Sequence, residues 1–374
     1  MKKKTVILSM AAAALMMAAC GKKNQYTLTT VLEHPNFEGQ MAYLYNHGTE
    51  ELIDSVLIEE GKAVFAGTVD QPFVSYVKTL AGPDGNFNLG YCIIEPGDIY
   101  FDLGKDSLSG TTMNNELYNI IMPINDWTAR SQAQSMELYE KYKAATTEQE
   151  KEAIVAINDS LTEVSNAALR QMIYAAYDNH KLSPIGGFLL VNAIQHLRPS
   201  LTEMDSLLSG AAPEVSNYKM VSKYVGVLRA AAATDKGSKY IDVEGIDFAT
   251  GQMSNLSAMI DGKWALVDFW ASWCGPCRNE ISENLIRVYE KYKSQGLEVI
   301  GLDVWDDLEK HKAAVEKLGI TYPQLIDTTR NATNQYGVQG IPEILLINPE
   351  GTIVARGLRG DDIEKAVKEA LGVK

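Results

Sequence analysis

The chain has 374 residues, 46% of them hydrophobic and 22% charged, and a net charge of −14. That length holds two or three domains and a sizeable core. So acidic a surface disfavours nucleic acid, and the charge otherwise speaks to solubility rather than to function.

Met1 to Ala19 reads as a secretory signal, with Lys2, Lys3 and Lys4 as the charged start and Val6 to Met17 as an apolar run too short for a spanning helix. Met17-Ala18-Ala19-Cys20 resembles a bacterial lipobox. The mature protein is then expected to begin at Cys20, acylated there and held on a membrane by several acyl chains. Gly21-Lys22-Lys23 carries no acidic export signal, which favours a periplasm-facing protein over a surface one.

Residues 20–118 read as an all-β domain, sandwich or open barrel. Met41, Tyr43 and Tyr45 alternate, Phe73 to Val77 is strand-rich, and turn signals recur at Glu60-Gly61, Gly82 to Gly85 and Glu95 to Asp98. Cys92 sits in an apolar strand pattern and is expected to be a buried, inert thiol. His34 and His47 lack ligand spacing. Residues 119–239 switch to helical periodicity. Ile157, Leu161, Val164, Ala168 and Met172 form one apolar stripe, and Val221, Tyr224, Val225 and Leu228 another. Both are expected to be helix–helix core, and the region a helical spacer. Ser183-Pro184 suits a helix start.

The chemistry begins at Trp264. Trp264 to Trp270 suits a central strand covered on both faces, broken by one charge, Asp268. Cys274-Gly275-Pro276-Cys277 follows, and then a helical pattern of Ile281, Leu285, Val288 and Tyr292. Pro276 fits the first helical turn. Free N–H groups and the macrodipole there favour a thiolate at Cys274, the expected nucleophile. Cys277, one turn in, suits the resolving role, and Asp268 beneath the pair is placed to take and return its proton. A Cys-x-x-Cys is also half of a zinc site, but no second pair exists and His311 lies far outside finger spacing. A purely structural disulfide closing so short a ring adds little stability. No metal ligand set is assigned.

Trp264 to Cys277 resembles the active-site strand and loop of thioredoxin. Residues 240–374 resemble more closely the TlpA/ResA-type thiol–disulfide oxidoreductases of bacterial envelopes. The further matches are Glu280, the strand–helix unit Leu297 to Leu318 before Tyr322-Pro323, Gly340-Ile341-Pro342 and Asn348 to Gly351. Glu343 departs from the Thr common after that proline. The resemblance implies an α/β fold with a mixed central sheet flanked by helices. It also implies a cis Pro342, Ile341 beside the sulfurs, and Glu280 at the active site. Asp268 and Glu280 together would raise the cysteine pKa values. Trp273, Gly275, Pro276, Ile341 and Pro342 are the residues expected to receive an extended client as an added strand. The β-domain resembles one often fused to such lipoproteins.

The function expected is an envelope-anchored oxidoreductase that reduces or exchanges disulfides in extracytoplasmic proteins, apocytochromes c among them, with no cofactor beyond the Cys274–Cys277 disulfide. Its Gly-Pro spacer is that of thioredoxin, a reductant. Electrons would come from a membrane thiol carrier of the DsbD or CcdA kind. Two other classes stand beside it. A thiol peroxidase would need Thr where residue 271 is Ala. In a binding or scaffold lipoprotein the redox domain would be accessory.

Overall fold

Alternation of apolar residues makes the first strands. In the computed structural model, which describes residues 24–32, 34–79 and 89–373, β1 (Gln25–Val31) buries Tyr26, Leu28 and Thr30 and leaves the residues between them more open. It pairs antiparallel with β4 (Lys62–Thr68) and parallel with β7 (Gly97–Asp102), which β8 (Ser107–Ser109) extends. A second four-stranded sheet has the order β3 (Leu52–Leu57), β2 (Met41–Asn46), β5 (Phe73–Thr79), β6 (Leu89–Ile94). The sheets face each other closely at one point: a Cβ on Gly90 of β6 would stand 2.1 Å from the Phe101 ring of β7. The signal segment, Cys20 and the turn at Gly82 to Gly85 lie outside the described residues.

The helices after β8 grow from the same core. Two 33-residue helices, α1 (Thr112–Ala144) and α2 (Glu148–His180), form a hairpin, and α2 starts with a capping box between Thr147 and Glu150. Buried Asn114 in the first turn of α1 bonds the main chain of Ile93, while Glu95 accepts from the N–H groups of Met113 and Asn114. Leu169, Ile173 and Tyr177 of α2 are buried, and α2 packs on α3 (Pro184–Leu197). The stripe expected in α2 is corrected here. Ile157, Leu161 and Val164 are exposed at 51%, 40% and 61%. The seam with α1 is partly polar instead, with Trp127 donating to Ser165 and Ser165 to Ser131. Periodicity reveals an apolar face but not whether the chain covers it.

The described residues divide into two units, 24–199 with 205–222, and 200–204 with 223–373. The helical region expected to be a spacer is divided between them. The helices α4 (Leu201–Leu208), α5 (Pro213–Ser216) and α6 (Lys219–Ala233) complete it. From Lys223 on, α6 belongs to the second unit. Gly337, at φ +61°, lets the chain pass it: a Cβ there would stand 2.3 Å from Val227 O and Ala231 N.

The second unit is the thioredoxin-like domain expected from the sequence. Its seven-stranded mixed sheet has the order β10 (Met253–Asn255), β9 (Glu244–Asp247), β13 (Gln324–Ile326), β12 (Leu297–Asp303), β11 (Trp264–Trp270), β14 (Glu343–Ile347), β15 (Ile353–Arg356). β11 lies between parallel β12 and antiparallel β14. Five of the helices between Leu256 and Leu371 are α7 (Leu256–Ile260), α8 (Gly275–Glu280), α9 (Ile286–Tyr292), α10 (Leu308–Leu318) and α11 (Ala332–Gln335); α12 (Asp361–Leu371) closes the chain. A π-helical turn, Ile281–Leu285, joins α8 to α9. Asp307 caps α10 and Gly319 ends it in the left-handed conformation. Ala265, Val267 and Phe269 enter one core layer, and Leu266 and Trp270 the other, with Cys277, Ile281 and Leu285. Strand alternation thus places Asp268 on the cysteine face.

Candidate active site

The strand β11 ends at Trp270 and delivers its loop to the start of α8. Cys274 is the N-cap residue there, and its sulfur accepts from the N–H of Cys277 at 3.1 Å. Pro276 stands in the first turn. Cys274 and Cys277 are joined as a disulfide with Cα atoms 5.3 Å apart. Both are buried, Cys274 at 4% exposure and Cys277 at none. The geometry is that of a pair whose outer sulfur is met first. When reduced, Cys274 keeps the N–H donor that stabilises a thiolate.

Facing the sulfurs across the loop, the Ile341–Pro342 peptide is cis, as the sequence analysis expects. The Ile341 carbonyl oxygen lies 3.7 Å from Cys274 Sγ. Trp273 is 57% exposed, and its indole N–H donates to the carbonyl of Trp305 at 3.1 Å. Trp305 is itself 39% exposed at φ +57°. Gly275 faces open space. The result is a disulfide rimmed by two indoles and a backbone edge. Glu343 is taken up by Arg356, 2.7 Å away, which also holds the Tyr336 carbonyl.

Asp268 is fully buried and neither carboxylate oxygen has a hydrogen-bond partner. Burial pushes its pKa up to about 8; the Arg359 guanidinium opposes this and Glu280 adds to it. A carboxyl with that value holds its proton at neutral pH and can release it near there. Glu280 is half-buried and accepts from Gly360 N at 3.1 Å and Asn284 Nδ2 at 2.9 Å. Its visible work is to tie α8 to the start of α12, while its charge still reaches Asp268.

Three residues have roles at the site that the sequence does not show. Arg359 donates to the Pro342 carbonyl and acts electrostatically on Asp268, so one side chain links the cis-proline loop to the buried acid. Tyr322 is buried with an unpaired hydroxyl, and burial, then the charge of Asp268, hold that hydroxyl well above its ordinary pKa. Asp306 accepts from Ser272 N at 2.5 Å and from Ser272 Oγ at 2.9 Å, fixing the loop ahead of Cys274. Arg359 and Asp306 sit in no motif and Tyr322 is marked only as half of Tyr322-Pro323; the fold alone brings them to the site.

Residues 237–356 match the AhpC/TSA family, and residues 26–117 match a domain of unknown function, DUF4369. The thiol-disulfide oxidoreductase ResA of Bacillus subtilis is 33% identical over 95 residues, 25% of this chain and 52% of that protein. ResA of Geobacillus kaustophilus is 31% identical over 107 residues, 28% of this chain and 61% of that one. The chain spans about half the length of the first curated relatives it matches. A crystal structure of the thioredoxin domain of a thiol-disulfide oxidoreductase from Bacteroides vulgatus is 34% identical, covering 36% of this chain and 96% of that one with a TM-score of 0.34.

Proposed function

We propose that this protein, whose C-terminal domain is of the thioredoxin-like TlpA/ResA kind of thiol–disulfide oxidoreductase, exchanges disulfides in extracytoplasmic proteins through Cys274 and Cys277. The observation that carries the reading is a disulfide at a helix start lying against a cis-proline backbone edge and over a buried acid with a pKa of about 8.

In the reductive direction the Cys274 thiolate attacks a client disulfide. One new S–S bond forms to the client, and the client's other sulfur leaves as a thiolate. Near pH 8, where Asp268 is partly ionised, its carboxylate takes the Cys277 proton and Cys277 attacks Cys274 Sγ. The 274–277 bond closes, the second client sulfur departs as a thiolate that takes the proton back from Asp268, and two electrons have passed to the client. The half-buried Ile341 edge and the Trp273 and Trp305 rings receive the client as an extended segment. Arg356 neutralises Glu343, so the acid after Pro342 does not repel acidic clients.

Lipid attachment at Cys20 on the periplasmic side and reduction by a membrane thiol donor complete the reading, with apocytochromes c as one client class. The signal pattern in residues 1–19 supports it. Among the described residues no helix is long and apolar enough to cross a membrane. The AhpC/TSA match favours a second reading, a thiol peroxidase. Against it, Ala271 offers no hydroxyl where such a site needs Thr, and Cys274 is paired with a cysteine only three residues on. The test is dithiothreitol-driven insulin reduction against peroxide consumption. Acceleration of the first, abolished in Cys274→Ser, supports the proposal; activity only on peroxide overturns it. Mixed disulfides captured on Cys277→Ser would identify the clients.

A further inference from the structure

Next to the active-site loop, but outside the thiol chemistry, the fold gathers Asp303, Asp306 and His311. Asp303 ends β12, Asp306 lies in the following loop, and His311 is on the first turns of α10. One ligating atom from each lies within 4.8 Å of the others. His311 is fully buried between Trp270, at a ring distance of 4.9 Å, and Phe248, at 5.2 Å. Its Nδ1 stands 3.3 Å from Asp303 Oδ1, yet neither atom makes a hydrogen bond, and Nε2 has no partner either.

A buried imidazole left without hydrogen bonds costs roughly 1–3 kcal/mol. The arrangement makes sense if a third body belongs between the donors. Tetrahedral zinc bonds nitrogen and carboxylate oxygen at about 2.0–2.2 Å, which separates neighbouring ligand atoms by about 3.4 Å. The Nδ1 to Oδ1 distance matches that edge. Imidazole with carboxylates is a zinc-class donor set. Asp306 has capacity for it: its oxygens take Ser272 N, Ser272 Oγ and Asp307 N, out of about four lone-pair directions.

We propose that Asp303, Asp306 and His311 bind a divalent zinc-class cation, with a fourth position left to water. Asp306 then bridges the cation to Ser272, two residues before Cys274, so occupancy of the site stiffens the loop that presents the nucleophile. The spacing Asp-x-x-Asp-x-x-x-x-His runs from a strand end into a helix, and it is the strand–loop–helix turn that folds the three together.

The experiment uses the full chain with its disulfide closed, so that no thiolate competes. Zinc is titrated calorimetrically, and cobalt(II) is added as a spectroscopic stand-in. The expected result is one equivalent bound, a cobalt d–d spectrum without thiolate charge-transfer bands, and a zinc-dependent rise in melting temperature. His311→Gln and Asp303→Asn lose the binding, and Ser272→Ala weakens it about tenfold, as loss of a supporting hydrogen bond does. The Cys274→Ser, Cys277→Ser double variant binds as the parent does. Absence of stoichiometric uptake by the unaltered chain overturns the proposal, whether or not the variants fold. So does uptake that persists in folded His311→Gln. Neither result touches the disulfide-exchange reading, which insulin reduction tests separately.

Discussion

Cys92 and Cys277 are equally buried, each with no exposed surface, and their surroundings are opposites. Cys92 lies mid-strand in β6, with its sulfur 3.1 Å from the Ser75 hydroxyl. Burial pushes that thiol up to about 12. Cys277 lies in the first turn of α8, bonded to Cys274 and on the face of β11 that carries Asp268. Both sites exclude water. What separates them is the local surroundings: a helix start, a partner sulfur and a buried acid at one, and a single hydroxyl at the other. Burial alone makes a thiol inert, whereas burial beside a tuned acid gives it a proton to exchange.

The sharpest way to break the contrast is Cys274→Ser. Insulin reduction should vanish, while Cys277→Ser should retain the first attack and accumulate mixed disulfide on a non-reducing gel. If Cys92 alone sustained turnover in Cys274→Ser, the contrast would be void.

Next in size is Asp268→Asn. Removing a positioned proton acceptor costs about 10²–10⁴-fold in rate, and the low end is expected, since solvent can reach Cys274. The pH dependence should change with it. The parent should show an inflection near 8, from the Asp268 value, and the variant should not. Stability carries the opposite sign. In the folded chain Asp268 keeps its proton up to about pH 8, whereas the ordinary carboxyl loses it near 3.8. The folded state therefore loses relative stability as pH rises between those values, by up to about 1.4 kcal/mol per unit. Asp268→Asn should grow more stable than the parent over that window by a few kcal/mol, readable as a shift in the urea midpoint. If the advantage of the variant over the parent were no larger at pH 8 than at pH 4, Asp268 would not be held protonated.

Gly90→Ala should cost roughly 1–3 kcal/mol, because the new methyl enters the Phe101 ring space. Denaturant unfolding followed in the β-unit would show it, with insulin reduction unchanged. The smallest effect is expected at Cys92→Ala, where the reductase rate should stay within about twofold, since that thiol is essentially un-ionised at neutral pH. In the reduced native protein iodoacetamide should label Cys274 first and leave Cys92 untouched until unfolding. Rapid labelling of Cys92 would sink its assignment as inert.

The strand–loop–helix at Trp264 to Tyr292 was legible because each step follows from local rules. An apolar run buries on both faces, a proline starts a helix, and a helix start favours a thiolate. The apolar stripe at Ile157, Leu161 and Val164 was misread, since its periodicity is real but its cover is not part of the helix. Glu280 was legible as an acid near the sulfurs, but not as the acceptor for Gly360 N, eighty residues away.

By itself, then, the order of residues determined the cysteine pair, the helix that carries it, the acid on the same face and the two faces of β11. Those are properties of neighbours in the chain, set by periodicity and by the free groups at a helix end. Only the tertiary structure decided the rest. Arg359 joins Pro342 to Asp268, Asp306 grips Ser272, and His311 is buried beside Asp303 without a hydrogen bond. These depend on distance across the sheet, and the energy of a charge or an orphaned donor is fixed by what the fold packs around it.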